Sequence, residues 1–166
     1  MTSTVDQPIV DSETIRRSPL GTELSPEQCE RLSQVASALG LETGMFLLEE
    51  GHRDDTLHVI SKGALEVVKP TGGDDWITLQ VLREGDMAGE LGFIDGIEHS
   101  AAIRAQVNTE VFSLSRESLE ELLHEDPDLV YKVMRAVVRT VHAILRRMNL
   151  QFVEMTNYIN KQHGRY

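Results

Sequence analysis

Between Gly44 and Leu114 the chain never runs far without a glycine. Gly51, Gly63, the pair Gly72-Gly73, Gly85 and Gly96 cut it into short segments rich in Val, Ile and Leu. Glycine at such intervals supplies the positive φ or the close backbone approach that tight corners need. Short apolar segments between corners are the pattern of strands. The spacing predicts a roll of short β-strands. Within it Ile77, Leu79 and Val81 alternate as a strand with one buried face should, after the turn Thr71-Gly72-Gly73-Asp74-Asp75.

Helical signals flank this stretch on both sides. Ser25-Pro26-Glu27-Gln28 reads as a helix start, with Ser as N-cap, Pro at the first helical position and Gln returning a hydrogen bond, so a short helix is expected to about Leu39. Residues 1–20 are polar without a sustained period and read as a flexible N-terminal tail. Two-fold periodicity ends near Leu114, and Leu119, Leu122 and Leu123 begin a helical pattern that restarts at Asp126-Pro127-Asp128. In the helix that follows, Val130, Val133, Val137, Val141, Ile144 and Met148 step by three or four residues, on through Phe152 or Met155. A roll can cover only the start of so long a helix. The rest is expected to meet a second copy across a dimer interface of Val137, Val141, Ile144 and Met148, centred on Val141 and Ile144. The fold class is therefore mainly β with flanking helices: a jelly-roll-like β-roll at 21–149, with an N-terminal helix and a long C-terminal helix that 150–166 extends.

Composition narrows the function classes. A chain of 166 residues with a formal net charge of −11 is long enough for one buried core and carries the wrong sign for unaided nucleic-acid binding. No apolar run reaches the roughly 18–20 residues of a membrane span, and the polar start lacks the pattern of a signal peptide, so a cytoplasmic protein with no membrane contact is expected. Cys29 is the one cysteine, which leaves neither a disulfide nor a multi-thiolate metal site within the chain. It reads as a small buried helix residue.

The run Gly89-Glu90-Leu91-Gly92-Phe93-Ile94-Asp95-Gly96-Ile97-Glu98-His99-Ser100-Ala101 resembles the phosphate-binding cassette of cyclic-nucleotide-binding domains of the catabolite-activator type. The likeness extends from about Leu20 to Asn149. Gly44 to Gly51 resembles the opening strand and turn, and Leu57 to Val67 the next hairpin. Leu145-Arg146-Arg147-Met148-Asn149 resembles the end of the family's last helix. The resemblance implies a regulatory sensor, not an enzyme, whose ligand would be cAMP or cGMP, with no obligatory cofactor. It implies a ligand site of Gly89, Glu90, Leu91, His99, Ser100, Ala101 and Ile144: amides near Leu91, Ser100 and Ala101 on the phosphate, and Glu90 accepting a ribose hydroxyl. Many bacterial relatives continue into a helix-turn-helix, but only 17 residues, 150–166, follow Asn149 here, so a stand-alone sensor signalling to an effector protein is expected.

His99 stands where the family pattern has Arg. A guanidinium gives a fixed charge and a fork of donors, whereas imidazole, with an ordinary pKa near 6.5, is mostly neutral at pH 7. Three readings follow: a weaker, pH-sensitive phosphate ligand; a pocket for some other ligand; or a vestigial pocket whose fold serves as a protein interaction module. On the base side, Thr140, Ile144 and Leu145 are mainly apolar, and Ala102 lacks a purine-contacting hydroxyl. The histidines, His52, His58, His99, His124, His142 and His163, form no metal-ligand spacing, and no nucleophile motif appears, so catalytic and metal sites are both expected to be none. The cations Lys132, Arg135, Arg139, Arg146 and Arg147 read either as a solvated helix face or as a docking strip for an acidic partner.

Overall fold

The computed structural model describes residues 10–163. Eight strands form two four-stranded antiparallel sheets. One has the order β1 (Ser37–Leu41), β8 (Thr109–Ser115), β3 (Thr56–Lys62), β6 (Met87–Ala88); the other β2 (Phe46–Leu48), β7 (Ala102–Ala105), β4 (Ala64–Pro70), β5 (Trp76–Arg83). A cluster that includes Leu41, Leu48, Ile60, Leu65, Leu82, Ala88, Ile103 and Val111 draws on all the strands and fills the roll.

The sheet containing β3 and β8 is buried on both faces. Leu57 pairs with Leu114 and Val59 with Phe112, and all four join the helices in a second core, while Ile60 and Val111 turn into the roll. Strands covered on both sides read as nearly continuous apolar runs, as these two do.

The helices that cover this sheet are α1 (Ser12–Arg17), a 3-10 turn (Pro19–Gly21), α2 (Pro26–Val35), α4 (Arg116–Glu125) and α5 (Pro127–His163); a short α3 (Glu90–Asp95) belongs to the site described below. Ser25 and Gln28 form the expected capping box at the start of α2. Asp126 caps α5, its Oδ1 accepting the Leu129 amide at 3.0 Å. Cys29 is 1 % exposed, a core residue whose thiol is pushed up by burial. No helix among the described residues is long and apolar enough to cross a membrane.

The structure corrects several expectations. Residues 1–9 of the expected tail lie outside the described residues, but the remainder is not a tail. Asp11 caps α1, and Val10, Ile15 and Leu20 are buried in the helical core. Polar residues hide this in sequence because a six-residue helix needs only one or two apolar anchors. The α2 helix stops at Val35 rather than near Leu39, because Ser37–Leu41 gives its backbone to β8. Ladder pairing there overrides local propensity. In β5, Ile77 and Leu79 are exposed and Leu82 is buried. β5 is the outer strand of its sheet, and a register shift opposite Val67 and Val68 changes which residues face the roll.

The apolar stripe of α5 divides in two. Val130, Val133 and Val137 are buried in the chain's own core, so Val137 is not available to a second copy. Ile144 faces the roll and lines the cavity described below. A different row, Val138, Val141, Leu145, Met148, Phe152 and Met155, repeats at alternating steps of three and four, and all but the half-buried Val141 are exposed. Of the four expected interface residues, Val141 and Met148 lie on this row; Val137 and Ile144 do not.

Ile15→Ala tests the correction at the N-terminus. Truncating a fully buried side chain should cost about 2–5 kcal/mol in denaturant unfolding, whereas a residue of a flexible tail would change stability by roughly 0.5 kcal/mol or less.

Candidate functional site

The site is built on a helix pressed against backbone. Gly89, at φ 78°, turns the chain into α3, and a Cβ there would come within 2.7 Å of the Thr56 carbonyl oxygen. One turn on, a Cβ at Gly92 would lie 2.6 Å from the Asp54 carbonyl and 3.0 Å from Cε1 of His99. Only glycine lets α3 sit this low. After Gly96 the chain loops back and is clamped: the His99 amide donates to the His52 carbonyl and the Gly51 amide to the His99 carbonyl, both at 2.9 Å.

A cavity of about 350 Å³ opens above this loop. Gly89, Glu90, Leu91, His99, Ser100 and Ala101 line it from the loop and α3, and Ile144 from α5, so the structure brings together every residue expected of the ligand site. Its wall is completed by Leu48, Val67, Gln80, Leu82 and Ile103 from strands of the roll. Thr140 lies beside an adjoining cavity that shares Ile144, with its hydroxyl donated to the Ala136 carbonyl at 3.3 Å. Leu145 points elsewhere and is exposed, and Ala102 is buried.

The polar groups of the cavity are not balanced. Among the described residues His99 Nε2 is buried without a hydrogen-bond partner, a state that costs roughly 1–3 kcal/mol unless something fills it. Glu90 is largely desolvated, and burial pushes its carboxyl above the usual range. Asp95 and Glu98 also line the cavity, and Glu98 reaches outward to Arg53 at 3.4 Å. An anion entering here finds backbone and hydroxyl donors, and one imidazole against three carboxylates.

The floor beneath α3 has its own polar network. His58, buried in β3, shares a hydrogen bond with Ser113 Oγ at 2.7 Å and lies 3.4 Å from Asp54 Oδ2, while Asp54 Oδ1 accepts the Thr56 amide at 2.9 Å. These contacts, His58 first, push the Asp54 carboxyl down to about 2. Ser113 is buried on β8 and its hydroxyl is engaged, so the trio braces the floor.

The cationic strip on α5 is partly paired. Arg135 and Arg139 share Glu23, and Lys132 pairs with Asp128 at 2.7 Å, so two carboxylates face three of the five cations. Arg135 and Arg139 stay about half exposed, as the solvated-face reading expects.

A family model described as a cyclic nucleotide-binding domain matches residues 39–126, the stretch that contains the roll, α3 and the cavity loop. The chain belongs to that family. It is 33 % identical over 116 residues to the cAMP-activated global transcriptional regulator CRP of Salmonella typhimurium, an alignment covering 68 % of this chain and 55 % of the relative. The chain thus spans about half the length of the curated relatives it matches first. An uncharacterized NTE family protein of Mycobacterium tuberculosis is 26 % identical over 125 residues, covering 75 % of this chain and 21 % of that protein. Among solved structures, a cyclic nucleotide-binding domain from Methylobacillus flagellatus superposes with a TM-score of 0.76 at 26 % identity, covering 89 % of this chain and 82 % of that one. The domain is built as a β-roll with flanking helices, as in the matched structure.

Sequence reasoning found the loop residues and missed the wall. Gln80 and Leu82 line the cavity from β5, whose register shift cannot be seen in a single sequence. Asp54 and His58 were likewise not singled out for the floor, because the contact between them and α3 exists only when Gly89 and Gly92 lie on residues 54–56.

Asp54 sets a pH dependence. A carboxyl lowered from 3.8 to about 2 stabilises the folded state above the ordinary value and loses that contribution as pH falls from about 4 to about 2. Asp54→Asn should lower the unfolding midpoint at pH 6 and flatten the decline of stability across that acid range; parallel acid profiles for variant and parent would contradict the role.

Proposed function

We propose that this domain senses a cyclic nucleotide, cAMP or cGMP, at the 89–101 loop, with His99 as a pH-dependent phosphate ligand, and reports occupancy through α5. The observation that carries this reading is that His99 lines one cavity together with every other expected ligand residue, and that its Nε2 has no hydrogen-bond partner among the described residues. That nitrogen is closed off from solvent, so the imidazole would turn toward the cavity for a phosphate oxygen to become its partner. The phosphate would also meet the Ser100 hydroxyl and the amides near Ser100 and Ala101, and a ribose hydroxyl would donate to the desolvated Glu90 carboxylate. The role is regulatory, not enzymatic, and the setting cytoplasmic.

The active form is a homodimer. The row Val138, Val141, Leu145, Met148, Phe152 and Met155 has the alternating three-and-four spacing of a two-helix seam and lies on the part of α5 that the roll does not cover. Ile144, on the cavity, is the immediate neighbour of Leu145, on the seam. A shift of α5 on ligand binding would therefore reach the partner within one helical turn.

A second reading is favoured by the charge balance: with Glu90, Asp95 and Glu98 against His99, the pocket repels an anion, and the fold would then serve as a ligand-free interaction module. Calorimetry separates the two. Phosphate binding favours imidazolium over neutral imidazole, so on this reading affinity grows as pH falls. His99→Arg should tighten binding by roughly ten-fold or more at pH 8 and by less at pH 6. Glu90→Gln should weaken the ribonucleotide while sparing its 2′-deoxy analogue. Absence of heat for both the parent and His99→Arg at millimolar nucleotide would leave the interaction-module reading.

The seam is tested by sedimentation. Leu145→Glu with Met148→Glu should give a folded monomer where the parent is a dimer at tens of micromolar. Val137→Glu, by contrast, buries a charge in the chain's own core and should cost more than about 4 kcal/mol of stability. A parent that sediments as a monomer would remove the dimer from the proposal.

A further inference from the structure

The cavity and the long helix belong to different parts of the fold, and Arg116 stands at the joint between them. It is the first residue of α4. Its backbone amide donates to the Asp55 carbonyl at 3.0 Å, in the segment on which α3 rests. Its guanidinium reaches the C-terminal end of α3, where Nε donates to the Phe93 carbonyl and Nη2 to the Gly92 carbonyl, each at 2.8 Å. The last carbonyls of a helix carry partial negative charge, and Gly92's, which also accepts the Gly96 amide at 2.8 Å, keeps a second lone pair free, so a forked cation is well matched to them.

Beside this fork the packing of α3 on the helices is interrupted. A cavity of about 210 Å³ lies between Phe93 and Ile94 on one side and Leu119, Leu123, Val130 and Met134 on the other. Ile94 and Leu123 are exposed there, while Phe93 is 2 % exposed and seated in the helical core. One buried ring and one guanidinium fork thus carry the connection. Lys132, Arg135 and Arg139 of α5 are engaged with Asp128 and Glu23 instead.

We propose that Arg116 is a positioning residue that makes α3 and α4 move as one body, so that a change at the cavity loop is passed to α5. It touches no ligand. It acts by holding the Gly92 and Phe93 carbonyls in a fixed relation to the start of α4, while Leu119 and Leu122 of α4 pack with Leu129, Val130 and Val133 of α5 in one core. Lysine cannot replace it, because a single ammonium does not span two carbonyls in a planar fork. The inference rests on the ligand reading above only for the direction of the signal; the tie itself is a property of the ligand-free chain.

The test compares Arg116→Gln and Arg116→Lys with the parent by amide hydrogen exchange, without ligand and then with cAMP. Without ligand, the Phe93 and Gly96 amides, which donate to the Gly89 and Gly92 carbonyls, should exchange roughly ten-fold or more faster in both variants, with α4 amides and the denaturant midpoint little changed. With cAMP, protection in the parent should spread from α3 into α4 and the turn at Ile144. In the variants it should stop at α3 while affinity stays within about three-fold of the parent. Unchanged exchange in α3, full rescue by lysine, or a uniform acceleration with lost global stability would each overturn the proposal. If the parent takes up no nucleotide, the ligand reading fails, and the ligand-free exchange still decides whether Arg116 ties α3 to α4.

Discussion

Burial of one sheet on both faces is the constraint on which the rest of the molecule depends. Leu57, Val59, Phe112 and Leu114 face the helices, and Ile60 and Val111 face the roll, from the same two paired strands. Neither layer can shift without opening the other, because close-packed interiors respond to displacement as a unit. The N-terminal residues Val10, Ile15 and Leu20 belong to this same core, which is why a segment of polar appearance is ordered. The site loop inherits its position from β3, since residues 54–56 both lead into that strand and form the bed of α3.

The site combines a strict backbone with an unusual charge balance. Gly89 and Gly92 allow α3 to rest on carbonyl oxygens at distances no side chain would permit, and the clamp between residues 51–52 and His99 fixes the loop. The side chains do not add a fixed positive charge to it. Glu90 is desolvated with its carboxyl pushed up, and His99 carries a buried nitrogen with no partner among the described residues.

The long helix carries two apolar faces. Val130, Val133 and Val137 are spent on the chain's own core, and Ile144 on the cavity. The row from Val138 to Met155 is offset from these residues around the helix, because a 3.6-residue turn separates stripes that lie one residue apart in sequence. A single apolar pattern therefore holds two surfaces, and periodicity alone merges them.

Local chemistry determined much of this protein. Glycine corners fixed the roll, Ser25 and Gln28 fixed the start of α2, Asp126 and Pro127 fixed the start of α5, and the run from Gly89 to Ala101 marked the loop, because each of these depends on residues adjacent in the chain. Only the tertiary structure decided the rest. It placed Ser37–Leu41 in a strand by pairing it with β8, exposed Ile77 and Leu79 by leaving β5 at a sheet edge, and withdrew Val137 from any interface by covering it with the chain's own core. It brought Asp54 and His58 under the loop and laid the Arg116 fork across the end of α3. Those contacts join residues far apart in sequence, and their partners are selected by which surfaces the packed core leaves within reach.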